Sequence, residues 1–166
     1  STYTKDYSGY GHDGNVTGAV WKTGEGRPGG AFWFDGDDDF IEISENPVLD
    51  LVNNGNYSIE AWFYPNWTSE AGEDMVIQQV SGDGQGRSHI WLDLADTYCA
   101  GAPDNEILTY LGGSATCSGE AAVQGTWVHV VEVVIENGTS DRIYLYVNGT
   151  LAATSTKDSE SNDNAR

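Results

Sequence analysis

Apolar and polar side chains alternate through Tyr57-Ser58-Ile59-Glu60-Ala61-Trp62-Phe63-Tyr64, and this period of two most limits what the chain can fold into. In an extended strand it puts Ile59, Ala61 and Phe63 on one face and Glu60, Trp62 and Tyr64 on the other. Pro65 ends the strand, because proline offers no N–H to a ladder. Ala31 to Phe34 and Phe40 to Ile43 read as two strands joined by a tight acidic turn, Asp35-Gly36-Asp37-Asp38-Asp39. Met75 to Val80, His89 to Leu94, Ile107 to Leu111, Trp127 to Ile135 and Arg142 to Val147 follow as strands, separated by Gly, Asn and Asp clusters. Asn148-Gly149 predicts a two-residue hairpin turn, with Leu151 to Thr154 returning. Val48 to Val52 predicts one helical turn, and no longer helix is expected. Many short strands with glycine-rich turns predict an all-β, two-sheet antiparallel sandwich or jelly roll. One domain is expected over residues 1–154. Residues 155–166 are polar and acidic, and read as a linker or disordered tail.

Acidic residues outnumber basic ones 26 to 7 over 166 residues, a formal charge of −19. That field repels nucleic-acid phosphates and anionic lipid, so neither is an expected partner. It suits salty surroundings, where the Debye length falls to about 3 Å at 1 M salt. A halophilic or marine source fits, and so does any acidic extracellular protein. No apolar run approaches the roughly 18 residues a membrane span needs. The chain does not open on a signal peptide, so a leader is expected to have been removed or to lie outside it.

Cys99 and Cys117 would close a loop of about 19 residues, worth about 3 kcal/mol in the chain-entropy model. The polar, glycine-rich segment between them would gain from such a staple. A disulfide is expected over two buried free thiols, because sequons also point outside the cell. Five occur, at Asn15, Asn56, Asn66, Asn137 and Asn148, where about two would arise by chance.

Three blocks, in order, carry a family resemblance. They are Asp6-Tyr7-Ser8-Gly9-Tyr10-Gly11-His12-Asp13-Gly14, Gly29-Gly30-Ala31-Phe32-Trp33-Phe34-Asp35-Gly36-Asp37-Asp38-Asp39-Phe40-Ile41, and a set of strands: Tyr57 to Phe63, Gly125 to Val130 and Tyr144 to Gly149. Together they resemble a LamG-like jelly roll of the concanavalin A-like lectin/glucanase superfamily, over about residues 6 to 154. Tyr10 stands where the family usually has Asn. The family's closing strand, of the type I-D-D-V-R-I-Y, has no counterpart. The resemblance therefore implies an open sheet edge, left by truncation or filled by another segment or subunit through β-augmentation.

The resemblance also implies a structural calcium near the first loop, with Asp6 the side-chain ligand. Asp13 is the second carboxylate there, since calcium takes six to eight hard oxygens from a flexible loop. The turn beginning at Asp35 is the alternative locus, or else a solvated hairpin tip. Sugars stack apolar C–H faces on aromatic rings and give their hydroxyls to carboxylates and amides. Candidates are Trp62 and Tyr64 with Glu60, then Gln78, and His89, Trp91 and Asp93 on what reads as an adjacent strand, with Trp67 in a loop. In the family the Trp62 position is usually core. His129 reads as a core residue.

Retaining glycosidases need two carboxyls about 5 Å apart, and the superfamily's glucanases place them as E-x-D-x-x-E. The nearest segment, Ile90 to Asp96, lacks both glutamates. The expected function is a non-catalytic extracellular module that binds glycan or a cell-surface glycoprotein. The alternative is a filament or surface-layer subunit that self-associates through the open edge.

Overall fold

A computed structural model describes residues 2–49, 55–66, 74–80, 86–93, 98–111, 114–137 and 140–158. Regular structure among them is all strand, with no helix. The chain divides into two compact units, Ser1–Asp50 and Leu51–Arg166.

In the first unit β1 (Tyr3–Thr4), β2 (Gly14–Thr17), β3 (Val20–Gly26), β4 (Gly29–Trp33) and β5 (Phe40–Ile43) form two small antiparallel sheets, β1-β2-β5 and β3-β4. The strands β4 and β5 do not form the expected hairpin. Close packing against glycine explains each pairing. Gly30 lies under the Trp21 ring, where an added Cβ would come within 2.2 Å of the indole. Trp21 pairs with Phe32 across β3 and β4, their rings edge to face at 5.1 Å. Gly14 also sits close against Ile41, 2.7 Å from where its Cβ would be, in a register that matches Val16 with Ile41. The Asp35–Asp39 segment is therefore a crossover between two sheets. The turn expected at Val48–Val52 begins earlier, where the Leu49 N–H donates to Asn46 O at 2.8 Å; residues 50–52 lie outside the described residues.

The second unit is the sandwich. Its strands are β6 (Tyr57–Phe63), β7 (Asp74–Val80), β8 (Gly86–Asp93), β9 (Glu106–Leu111), β10 (Ser114–Ala121), β11 (Val128–Ile135), β12 (Ser140–Val147) and β13 (Thr150–Asp158). They form two four-stranded antiparallel sheets, in the orders β10-β9-β8-β7 and β13-β12-β11-β6. Ile90, Leu92 and Ile107 of one sheet pack with Val128, Val130, Leu145 and Val147 of the other, and Ile59, Ala61 and Phe63 close the same core. Fully burying one Val, Leu or Ile of this set is worth about 1.5–3 kcal/mol. Glu132 shares this inward face and is fully buried. Asn148 and Gly149 both have positive φ, 50° and 79°, and turn the chain from Val147 to its partner Thr150.

The domain boundary expected at residues 154/155 falls inside β13. Ser155 pairs with Ile143 and Lys157 with Asp141, and the Thr116 and Ser155 hydroxyls share a hydrogen bond that ties β10 to β13. Lys157 is buried. The strand continues because β12 offers it a full ladder, although its own side chains are small and polar. Residues 159–166 lie outside the described residues.

Candidate functional site

The outer face of the β13-β12-β11-β6 sheet is built from the half of the period-two pattern that the core does not take. On β6 this half is Glu60 and Trp62, followed by Tyr64 just beyond the strand. On β11 it is His129, Val131 and Val133, and on β12 Tyr144 and Tyr146. Register brings distant residues together. His129 is the cross-strand partner of Trp62, and Val131 is the partner of both Glu60 and Tyr146.

The Trp62 and His129 rings stack at 4.5 Å, inclined by 21°. Trp62 is 44% exposed. His129 Nε2 lies 2.7 Å from Glu60 Oε1. A carboxylate only accepts, so the ring nitrogen carries the proton and donates. The His129 N–H donates to Asn148 Oδ1 at 3.1 Å, and the Asn148 N–H donates back to His129 O at 2.8 Å, which fixes this end of the strand. Beyond it Tyr64 meets Trp127 edge to face at 5.5 Å. The Gly125 N–H donates to Pro65 O at 2.9 Å, holding the two segments together. The result is an aromatic surface, Trp62 and Tyr64, edged by one carboxylate, one imidazole and one amide.

His129 is thus an outward residue and not the core residue expected from its valine-rich surroundings. Trp62 is exposed, and not the core residue that the family resemblance implied. Trp127 and His129 are the site residues that sequence reasoning missed. Alternation within β11 marks His129 as opposite in facing to Val128 and Val130, but only the register with β6 places it against Trp62.

Trp91 belongs elsewhere. The strand β8 lies in the other sheet and is not adjacent to β6. Trp91 is 7% exposed and packs with Cys99 and Leu108. Tyr98 and Tyr110 cover it at ring distances of 4.7 and 5.8 Å. A ring buried in this way offers no face to a sugar, so Trp91 is a packing residue. The Cys99–Cys117 disulfide is formed, with Cα atoms 5.9 Å apart, and pins the loop that makes this cover. His89 and Asp93 lie on β8, with side chains outside the described residues, as is the whole of Trp67. Gln78 is exposed on β7, in the same sheet as Trp91.

In the first unit Asp6 organises its own loop. Asp6 Oδ1 accepts the Ser8 N–H at 2.7 Å; Oδ2 accepts the Ser8 hydroxyl at 2.7 Å and the His12 N–H at 2.9 Å. Asp13 Oδ1 accepts the Asp6 N–H at 2.7 Å. The Ser8 and His12 donors hold the Asp6 carboxyl down to about pH 2, from an ordinary 3.8. Both Asp6 oxygens thus accept hydrogen bonds from their own loop. The crossover holds a second group of carboxylates. Carboxylate oxygens of Asp35, Asp38 and Asp39 lie within 4.8 Å of one another, a hard-oxygen set of the kind calcium takes. Asp35 Oδ1 accepts the Asp37 N–H and Asp39 Oδ2 the Asp35 N–H, which draws the turn together.

The five sequon asparagines, Asn15, Asn56, Asn66, Asn137 and Asn148, are all exposed. No helix among the described residues is long and apolar enough to cross a membrane.

A laminin G family model, described as the concanavalin A-like lectin/glucanases superfamily, matches residues 35–166. The chain belongs to that superfamily. The match covers both sheets of the sandwich and the Trp62 face, and begins after the Asp6–Gly14 loop. Laminin G-like domains are typically extracellular and are in general non-catalytic binding modules for glycan or protein, although the superfamily includes glycosidases. No curated protein and no solved structure gave a significant match.

Proposed function

We propose that this laminin G-like chain is a non-catalytic extracellular adhesion module whose outer sheet face around Trp62 binds carbohydrate. The observation that carries the reading is the half-exposed Trp62 indole, held parallel to His129 beside the Glu60 carboxylate. A half-exposed indole held in place by a stacked imidazole suits the apolar face of a pyranose. Glu60 and Asn148 supply acceptors and a donor for hydroxyls. The formed disulfide and five exposed sequons support an oxidising location outside the cell. Labelled protein applied to a broad glycan array tests the proposal. Binding that Trp62→Ala abolishes while the circular dichroism spectrum is retained supports it. Binding that is unaffected by that change rejects this face.

Self-association is the second reading. Among the described residues β6 pairs only with β11, so one of its edges has no partner strand. Light scattering at high protein concentration tests this, and a strict monomer removes the reading.

A further inference from the structure

We infer that Asn148 is the site at which the folded chain accepts an N-linked sugar, a role independent of the Trp62 face. A transferase reads N-x-S/T, so it must hold the asparagine carboxamide and the hydroxyl two residues on at the same time. Three of the five sequons lie wholly within the described residues: Asn15 with Thr17, Asn56 with Ser58, and Asn148 with Thr150. All six side chains are exposed, so exposure does not separate them. Their places in the sheets do. Asn148 and Gly149 are the two central residues of the β12–β13 turn, and Thr150 closes the hairpin opposite Val147. A Cβ added at Gly149 would meet nothing within 4 Å, so the space over the tip is open. The Asn148 N–H donates to His129 O at 2.8 Å, and its Oδ1 accepts the His129 N–H at 3.1 Å. These bonds anchor the carboxamide by its oxygen. They leave Nδ2, and the Thr150 hydroxyl, without a partner among the described residues.

The other two sequons sit inside ladders. Asn15 is paired on both sides, with Tyr3 of β1 and Glu42 of β5, and Thr17 is paired with Phe40. Asn56 is anchored much as Asn148 is, its Oδ1 accepting the Glu136 N–H at 2.8 Å, but Ser58 pairs with Val133 within β6. Glu136 Oε2 also lies 3.2 Å from where a Gly55 Cβ would be, which crowds the approach to Asn56. A transferase can close on the turn as it stands, whereas it has to draw Thr17 or Ser58 out of a sheet. With a nucleotide sugar as donor, the bond from Nδ2 to the sugar C1 forms and the bond from C1 to the phosphate oxygen breaks. The nucleotide leaves and one Nδ2 proton passes to solvent. Oδ1 keeps its bond to His129, and Nδ2 keeps its second hydrogen as a donor.

Enzymatic labelling of the folded full chain tests the inference, with a soluble N-glucosyltransferase and UDP-glucose and the hexose located by tandem mass spectrometry. A protease digest of the same chain is the unfolded reference. Asn148 is expected to be favoured over Asn15 and Asn56 at least tenfold more strongly in the folded chain than in the digest. Thr150→Ala is expected to abolish the label at Asn148 and Thr150→Ser to keep it, with circular dichroism unchanged in both. Labelling of Asn15 or Asn56 ahead of Asn148 in the folded chain overturns the inference, as does an Asn148 that takes no sugar there. A preference of equal size in the folded chain and the digest overturns it too, because it would belong to the tripeptide and not to the fold.

Discussion

The imidazole of His129 lies 4.5 Å from the indole of Trp62 and nearly parallel to it, because the two residues are cross-strand partners on β11 and β6. The ring pair is 67 residues apart in the chain and exists only through sheet register. It braces Trp62 while leaving the indole half-exposed, which separates this tryptophan from the buried Trp91. Their substitutions should therefore behave in opposite ways.

Trp62→Ala is expected to weaken glycan binding at least tenfold, about 1.4 kcal/mol. The fold should tolerate the change, with a stability loss of about 1 kcal/mol or less, as for other surface substitutions. Paired affinity and urea-denaturation measurements check both halves.

Trp91→Ala should show the reverse. The ring fills the space between Leu108, Cys99, Tyr98 and Tyr110. Removing it leaves a cavity and is expected to cost about 3–5 kcal/mol of stability. Affinity measured on the fraction that remains folded should be unchanged.

Replacing Cys99 and Cys117 together by Ser opens a 19-residue loop. The chain-entropy cost is about 3 kcal/mol, and the cover over Trp91 loosens. Thermal melts with and without reductant should show the same lowering for reduced wild type as for the double variant.

The Asp6 carboxyl titrates near 2 in the folded chain and near 3.8 when unfolded. A depressed folded value means that ionised Asp6 favours the native loop. Its contribution is complete above pH 3.8 and is lost as pH falls through about 2. Asp6→Asn should lower the unfolding midpoint at pH 6, and the difference from wild type should vanish near pH 2. NMR titration of the Ser8 and His12 amide protons should give the same low midpoint.

Calcium is proposed at the Asp35-Asp38-Asp39 turn. Millimolar calcium should raise the melting temperature of wild type, and Asp38→Asn should abolish the rise while Asp13→Asn leaves it intact. A rise that instead disappears in Asp13→Asn would return the ion to the first loop.

Strands with strong alternation are legible from the residues alone. Phe40–Ile43 emerges unchanged and Tyr57–Phe63 within one residue, because both are rich in β-branched and aromatic residues and turn residues bound them. The strand Ser114–Ala121 was not legible, since its alternation is among Ser, Ala, Thr, Cys and Gly. Its place comes from pairing with β9 and the Cys99 bridge. The β13 extension past Thr154 escaped for the same reason. Facing was legible for Glu60, Trp62 and Tyr64, which follow the period of two. Neighbourhood was not: Trp91 shares that pattern with Trp62, and only sheet order puts one under a loop and the other at the surface. His129 was hidden by valines on both sides, which mark a strand without saying which face is wet.

The most direct measurement is a 1H–15N NMR titration of the full chain with the tightest-binding saccharide, following the six indole N–H signals. The account predicts that the Trp62 indole and the His129 and Glu60 amides shift together and saturate at one Kd, while Trp91 stays still. Saturating shifts at Trp91 or in residues 2–49, with Trp62 unmoved, would contradict it.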